Sequence, residues 1–216
     1  MNGMEERVEE LLNVYDAAGA VIGAQPRRSA KASGLAVGAV NVLLVNASGE
    51  VLLQRRPEDK ENGGLWDKSV GGHVSAGETH DATAVREAEE ELFDGEAAGC
   101  VRLVESQEAL ARAATVLDLT ASVVFFRAAL QHNLRDVRHA PGGQRRNVLY
   151  HVAVYLGRTD VPLTRFRPQR SEIVELAYFP AEEVDGLLLA GRLAPNMAFA
   201  WLAFGQRLLG LAGRPW

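Results

Sequence analysis

The chain has 216 residues, 47% hydrophobic and 24% charged, with a formal net charge of −5. This is a globular composition, long enough for one large domain to bury its core without disulfide or metal staples. The single cysteine, Cys100, excludes a disulfide framework and any all-cysteine metal site, while the acidic balance argues against sequence-independent nucleic-acid binding.

The N-terminus is acidic from Glu5 and lacks signal-peptide or transit-peptide patterning. No apolar run approaches the roughly 20 residues of a membrane helix. With one cysteine, the expectation is a cytoplasmic protein. Glu10 to Tyr15 and Ala20 to Ala24 read as two short strands joined by Asp16–Gly19, an N-terminal hairpin. Arg27 to Ser33 is polar, between Pro26 and Gly34, and reads as a link or one short helix. Strands are expected at Ala39–Val45 and Val51–Gln54, with turn chemistry between them. A glycine-containing loop from Asn62 leads to Leu65-Trp66, and Ser69-Val70 runs into Gly71-Gly72.

From Thr79 to Leu92 the period becomes helical, with Ala84, Val85, Ala88 and Leu92 on one face. Thr79 suits the N-cap and Gly95 the exit. Further strands are expected at Val101–Val104, Ser122–Arg127, Leu149–Leu156 and Val174–Phe179, and further helices at Ala109–Ala114, Ala181–Leu189 and Met197–Leu209. Interleaved strands and helices imply an α/β or α+β layered domain. Mixed signals and the Pro141-Gly142-Gly143 break suggest an insertion near 97–147. The organisation expected is an N-terminal hairpin and link at 1–34 packed on a main domain at 35–190, then a C-terminal helix within 191–216.

One segment carries chemistry: Gly72-His73-Val74-Ser75-Ala76-Gly77-Glu78, seven residues, then Arg86-Glu87-Ala88-Glu89-Glu90-Glu91. On a helix, Glu87, Glu90 and Glu91 fall within a sector about 100° wide. Each close like-charge pair costs about 0.2–0.5 kcal/mol even on a solvated surface, so a merely structural helix gains nothing from them. A hard divalent cation reverses the sign, because carboxylate oxygens at this spacing can clasp Mg²⁺ or Mn²⁺. Gly71, Gly72 and Gly77 let a backbone loop approach the helix start, where a carbonyl can join the coordination shell. Glu78 and Arg86 are placed to brace loop against helix. A cation beside room for phosphate suggests metal-assisted hydrolysis of a phosphoanhydride.

The segment resembles the Nudix box, G-x5-E-x7-R-E-U-x-E-E-x-G-U, where U is a bulky aliphatic residue. Gly72, Glu78, Arg86, Glu87, Glu90 and Glu91 stand at its fixed positions. Ala88 is a small version of the aliphatic position, and Phe93 replaces the last glycine. The resemblance implies an αβα sandwich with a mixed sheet over roughly Ala36 to Leu189. It implies a divalent metal held by Glu87, Glu90, Glu91 and the Gly72 carbonyl, with Arg86 paired to Glu78. It also implies hydrolysis of nucleoside diphosphates linked to another moiety. Outside the box, Val14-Tyr15-Asp16, Val21-Ile22-Gly23 and the run from Leu65 to His73 resemble the subgroup nearest the type I isopentenyl diphosphate isomerases. Ser171 to Glu175 resembles the acidic start of a strand where many members place a further catalytic or metal-linked glutamate, here Glu172.

Against these stand plainer readings. His73 either approaches the site or bonds locally, Trp66 is core rather than a substrate platform, and Arg55 and Arg56 either reach a phosphate or are exposed edge charges. Arg145, Arg146, Arg165, Arg167 and Arg170 read as solvated surface, and Cys100 as structural. The alternatives to a diphosphate hydrolase are an isomerase-like enzyme or a non-catalytic binding protein on the same fold. The first lacks its cysteine, since Gly71 stands near that position, and Val37 and Asn41 stand where its strand histidines would be. A small-molecule diphosphate is the expected partner, and the hairpin and last helix are surfaces for a homodimer.

Overall fold

A computed structural model describes residues 9–95, 99–139 and 143–213. The chain begins with β1 (Leu11–Tyr15) and β2 (Val21–Pro26), an antiparallel hairpin. Its turn is fixed by Asp16, whose carboxylate accepts from the Ala18 and Ala20 amides, both at 2.9 Å. Gly19 adopts φ +88°, and a Cβ there would meet the His132 ring. The polar link forms the short helix α1 (Arg27–Ala32).

The centre of the sheet is β3 (Ala36–Val45), buried along its whole length. One edge is shared in sequence by β1, by β6 (Val70–His73) and by β4 (Val51–Arg55), all antiparallel. The other edge is taken by β9 (Arg145–Thr159), parallel, from Ala36↔Leu149 to Val45↔Arg158. The sheet order is β10 (Glu175–Phe179), β4, β3, β9, β8 (Val123–His139) and β7 (Val101–Val104), with β5 (Trp66–Asp67) paired to β4. Parallel and antiparallel pairs make the sheet mixed, as expected.

Period-two alternation along β3 divides the core. Val40, Val42 and Leu44 face α2 (His80–Phe93), meeting Ala84, Ala88 and Leu92. Val37, Ala39, Leu43 and Val45 join the opposite core, which holds Trp201 of α5 (Pro195–Gly210), Leu110 of α3 (Gln107–Val116) and Val184 of α4 (Ala181–Leu189). Helices on both faces give the αβα layering. The C-terminal helix belongs to this core, with Met197, Ala200, Trp201 and Leu208 buried.

Within the stretch expected as an insertion, the strands expected at Val101–Val104 and Ser122–Arg127 form β7 and β8, and β8 runs on to His139 along β9. Val123 to Phe126 are buried on both faces, as a central strand requires. Phe93 is buried against Phe166, with ring centroids 5.6 Å apart. The helix exit moves one residue on: Asp94 takes the left-handed conformation, and the Gly95 amide reaches the Glu89 carbonyl at 3.0 Å.

Candidate functional site

Helix α2 and the β6 glycines face each other across one wall of a cleft of about 270 Å³. Thr79 caps the helix by accepting from the Ala82 amide at 3.2 Å, which sets where its acidic face begins. Gly72 permits the approach of that face: a Cβ there would lie 2.1 Å from the Glu87 carboxyl carbon. Glu91 is 7% exposed and accepts from the Gly71 amide at 3.0 Å and from Gln54 Nε2 at 3.2 Å. Burial pushes the Glu87 carboxyl up to about 7, with Glu90 adding to the shift against Arg86. Burial and the neighbouring Glu87 push Glu91 well above the ordinary carboxylate range.

Arg86 organises the rest of the box. Its Nε and Nη2 donate to the two Glu78 oxygens, each at 3.0 Å, and Thr83 Oγ1 donates to the same carboxylate at 2.8 Å. These bonds hold Glu78 below its usual pKa. Arg86 Nη1 lies between Glu87 Oε1, at 3.1 Å, and Glu90 Oε2, at 2.9 Å. The guanidinium therefore holds Glu90 on its own side, and among the described residues no three acidic, histidine or cysteine side chains converge on a single ion position. The donor chemistry still suits a hard divalent cation: carboxylate oxygens and a glycine carbonyl, with Glu91 buried and Glu87 half-buried beside it.

The opposite side of the cleft is basic. Arg56 donates to the Glu61 carbonyl at 2.7 Å and pairs with Asp67 at 3.2 Å, and Lys68 pairs with the same Asp67 at 3.1 Å. Burial disfavours the Asp67 anion, but Lys68 and Arg56 hold its carboxyl well below the usual range. His73 Nε2 lies 3.4 Å from the Tyr150 hydroxyl, and burial with nearby cations keeps its ring neutral. Glu172 lines the cleft and pairs with Lys60 at 2.7 Å.

Of the candidate residues, Gly72, Glu87, Glu90, Glu91, Arg86, Arg56, His73 and Glu172 line this cleft, and Glu78 braces it from behind. Arg55 does not. It stands opposite Glu175 in the β4–β10 register and pairs with it at 3.0 Å. Trp66 is core, edge-on to Phe179 at 4.7 Å, and Cys100 is a half-buried free thiol. Arg145 and Arg170 are exposed, Arg165 donates to the Thr120 carbonyl, and the Arg146 side chain lies outside the described residues. Sequence reasoning gave no role to Arg27, Lys68, Arg138 or Asn196, which also line the cleft. One signal was available: Asn41 interrupts the apolar run AVNVLLV, and it sits 1% exposed on the cleft floor.

Comparison with known proteins adds lineage to this geometry. A family model for the NUDIX domain matches residues 36–202. An uncharacterized Nudix hydrolase of Pseudomonas aeruginosa is 39% identical over 84 residues, 38% of this chain and 50% of that protein. An isopentenyl-diphosphate Delta-isomerase of Serratia proteamaculans is 34% identical over 86 residues, 39% of this chain and 48% of that protein. The chain thus spans about half the length of the curated relatives it matches. A crystal structure of a protein from Deinococcus radiodurans covers 95% of this chain and all of its own, with a TM-score of 0.59 at 21% identity. That likeness concerns the fold. Among the described residues no helix is long and apolar enough to cross a membrane.

Proposed function

The chain belongs to the Nudix family, and from that premise we propose that it is a divalent-cation-dependent hydrolase of a phosphoanhydride, in a nucleoside diphosphate-linked or related diphosphate substrate. The observation that carries the reading is the pair Glu87, half-buried, and Glu91, buried, both set against the Gly71–Gly72 backbone where like charges are costly. Glu87, Glu90, Glu91 and the Gly72 carbonyl would hold the cation, Mg²⁺ or Mn²⁺. When bound, it supplies Lewis-acid charge neutralisation and an acidified water.

The chain's own groups do the positioning. Arg86, fixed by its two bonds to Glu78, pairs with Glu87, which lies against Gly72, and with Glu90 on its own side. Gln54 and the Gly71 amide orient Glu91. Arg56 and Lys68 face the substrate side with positive charge, and Glu172 stands at the cleft as a second acid beside Lys60.

An isomerase-like reaction finds no support at Gly71. The position offers no proton-transfer group, and the Lys68 side chain fills the space a Cβ would need. A cytoplasmic location, a small-molecule substrate and a homodimer remain parts of the proposal. The test is a hydrolysis screen with Mg²⁺ and Mn²⁺ across nucleotide sugars, dinucleotides, nucleoside phosphates and prenyl diphosphates. Release of phosphate or nucleotide that EDTA abolishes is expected; absence of turnover on every class overturns the reading.

A further inference from the structure

The acids of α2 occupy only one side of the cleft. Facing them, Arg27 of α1 and Arg138 of β8 line the same space, although more than a hundred residues separate them in sequence. Behind them Lys31 Nζ and Arg138 Cζ both lie over the Tyr150 ring, 5.7 and 5.5 Å from its centroid. The carboxylate nearest Lys31 is Glu61, at 3.9 Å. Burial, with Arg27 and Arg138 adding to it, brings the Lys31 ammonium down to about 7. Arg27 pairs with Glu10 at 3.1 Å and Arg138 with Asp136 at 2.6 Å, and each guanidinium keeps further N–H donors for an anion between them.

The floor points the same way. Helix α5 starts there without a side-chain cap and with no acidic residue in its first turn, so the positive end of a 16-residue helix faces the cleft. Asn196 on that first turn is 4% exposed and accepts from Asn41 Nδ2 at 2.6 Å, leaving Asn41 Oδ1 buried without a partner. Turning both amides keeps their mutual bond and presents the Asn41 nitrogen as an unused donor. An isolated buried amide atom of this kind is costly, and a bound anion satisfies it.

Resting on the diphosphate reading above, we propose that Arg27, Arg138, Asn41, Asn196 and the start of α5 form an anion subsite for a terminal phosphate. The substrate is then one whose diphosphate ends in a free phosphate rather than one capped on both sides. The terminal dianion enters toward the floor, and the bond to be cut lies between it and the α2 acids. A capped diphosphate presents no dianionic end to these groups.

Calorimetry in EDTA with inorganic pyrophosphate tests this without turnover, so a failed hydrolysis screen and a failed subsite are separate results. The wild-type chain is expected to bind pyrophosphate, and to bind the capped diphosphate ADP-glucose at least tenfold more weakly. Asn196→Asp keeps the size of the side chain and suits a helix start, so it preserves the fold while placing a negative charge at the subsite. It should weaken pyrophosphate binding tenfold or more, and Arg27→Gln, at a half-exposed position, at least threefold. Melting curves check that both variants remain folded. No pyrophosphate binding by the wild type, equal binding of ADP-glucose, or wild-type affinity in Asn196→Asp would each overturn the proposal.

Discussion

The two walls of the cleft handle charge in opposite ways. On the basic side, Arg56 and Lys68 share the fully buried Asp67, and Arg138 lies 2.6 Å from Asp136, so each of these cations has an acid beside it. On the acidic side, one guanidinium serves Glu78, Glu87 and Glu90, and Glu91 has only neutral hydrogen-bond donors. The cations of the basic wall are therefore paired within the fold, with guanidinium N–H donors to spare, whereas the acidic wall carries unmet negative charge. A buried ion pair costs most when half of it is removed, and a buried like-charge pair costs most when nothing is added.

The sharpest way to break this contrast is Asp67→Asn, which leaves two cations without their shared acid. A loss of about 3–5 kcal/mol is expected in denaturant unfolding; a loss below 1 kcal/mol would mean the basic wall does not depend on its internal pairing. On the other wall, Glu91→Gln removes charge that the fold leaves uncompensated, so the fold should survive. Its kcat in the presence of Mg²⁺ or Mn²⁺ should fall by more than about 100-fold, beyond the loss typical of an outer-shell change. Retained turnover would take Glu91 out of the chemistry.

Gly72→Ala tests how closely the wall is fitted. The added methyl must displace Glu87, at a cost of about 1–3 kcal/mol of stability, read by chemical denaturation, with a parallel drop in kcat. The walls should also differ in pH response. Glu87 is raised in the folded state, so the folded chain keeps a proton that the unfolded chain has lost. In EDTA, stability should therefore decline as pH rises from about 4.5 through about 7, by a few degrees in Tm, and divalent cation should restore it. Asp67 is lowered, so its contribution is present above the ordinary aspartate pKa and disappears only in stronger acid. A flat metal-free profile between pH 5 and 8 would remove the difference. The smallest effect is expected at Arg55–Glu175, away from both walls. A double-mutant cycle there should give a coupling of about 0.2–1 kcal/mol.

The acidic wall was legible in the sequence because its parts lie within 20 consecutive positions, where helical spacing and turn glycines speak directly. Glu87, Glu90, Glu91 and Arg86 share one helix, and Gly72 sits just ahead of it. Most strands of the mixed sheet, the N-terminal hairpin and the last helix were legible for the same local reason, through alternation and turn residues, whereas the run of β8 beyond Arg127 to His139 and the two-residue β5 were not. The basic wall was not. Arg27, Lys68, Arg138 and Asn196 come from four separate stretches, and each in isolation is an ordinary polar residue in a loop, short helix, strand or helix start. The pairing of β9 with β3 and of β8 with β9 carries Arg138 to the place where α1, the β5–β6 link and α5 bring the others. Arg55 was misleading for the converse reason. A strand-end arginine next to Arg56 looks like a phosphate contact, but side chains alternate along a strand, and the neighbouring position points to the other face.

The parallel pairing of β3 has a consequence for synthesis. Ala36 to Val45 is a ten-residue strand with nearly all apolar side chains, and the partner that covers one entire edge begins only at Arg145. During translation, β1, β4 and β6 can settle along the near edge, while the far edge waits for most of the remaining chain to emerge. In that interval an unpaired apolar strand is open to pairing with other nascent chains. Yield on slow translation or at raised temperature should therefore depend on chaperone supply more than the finished fold's stability would suggest.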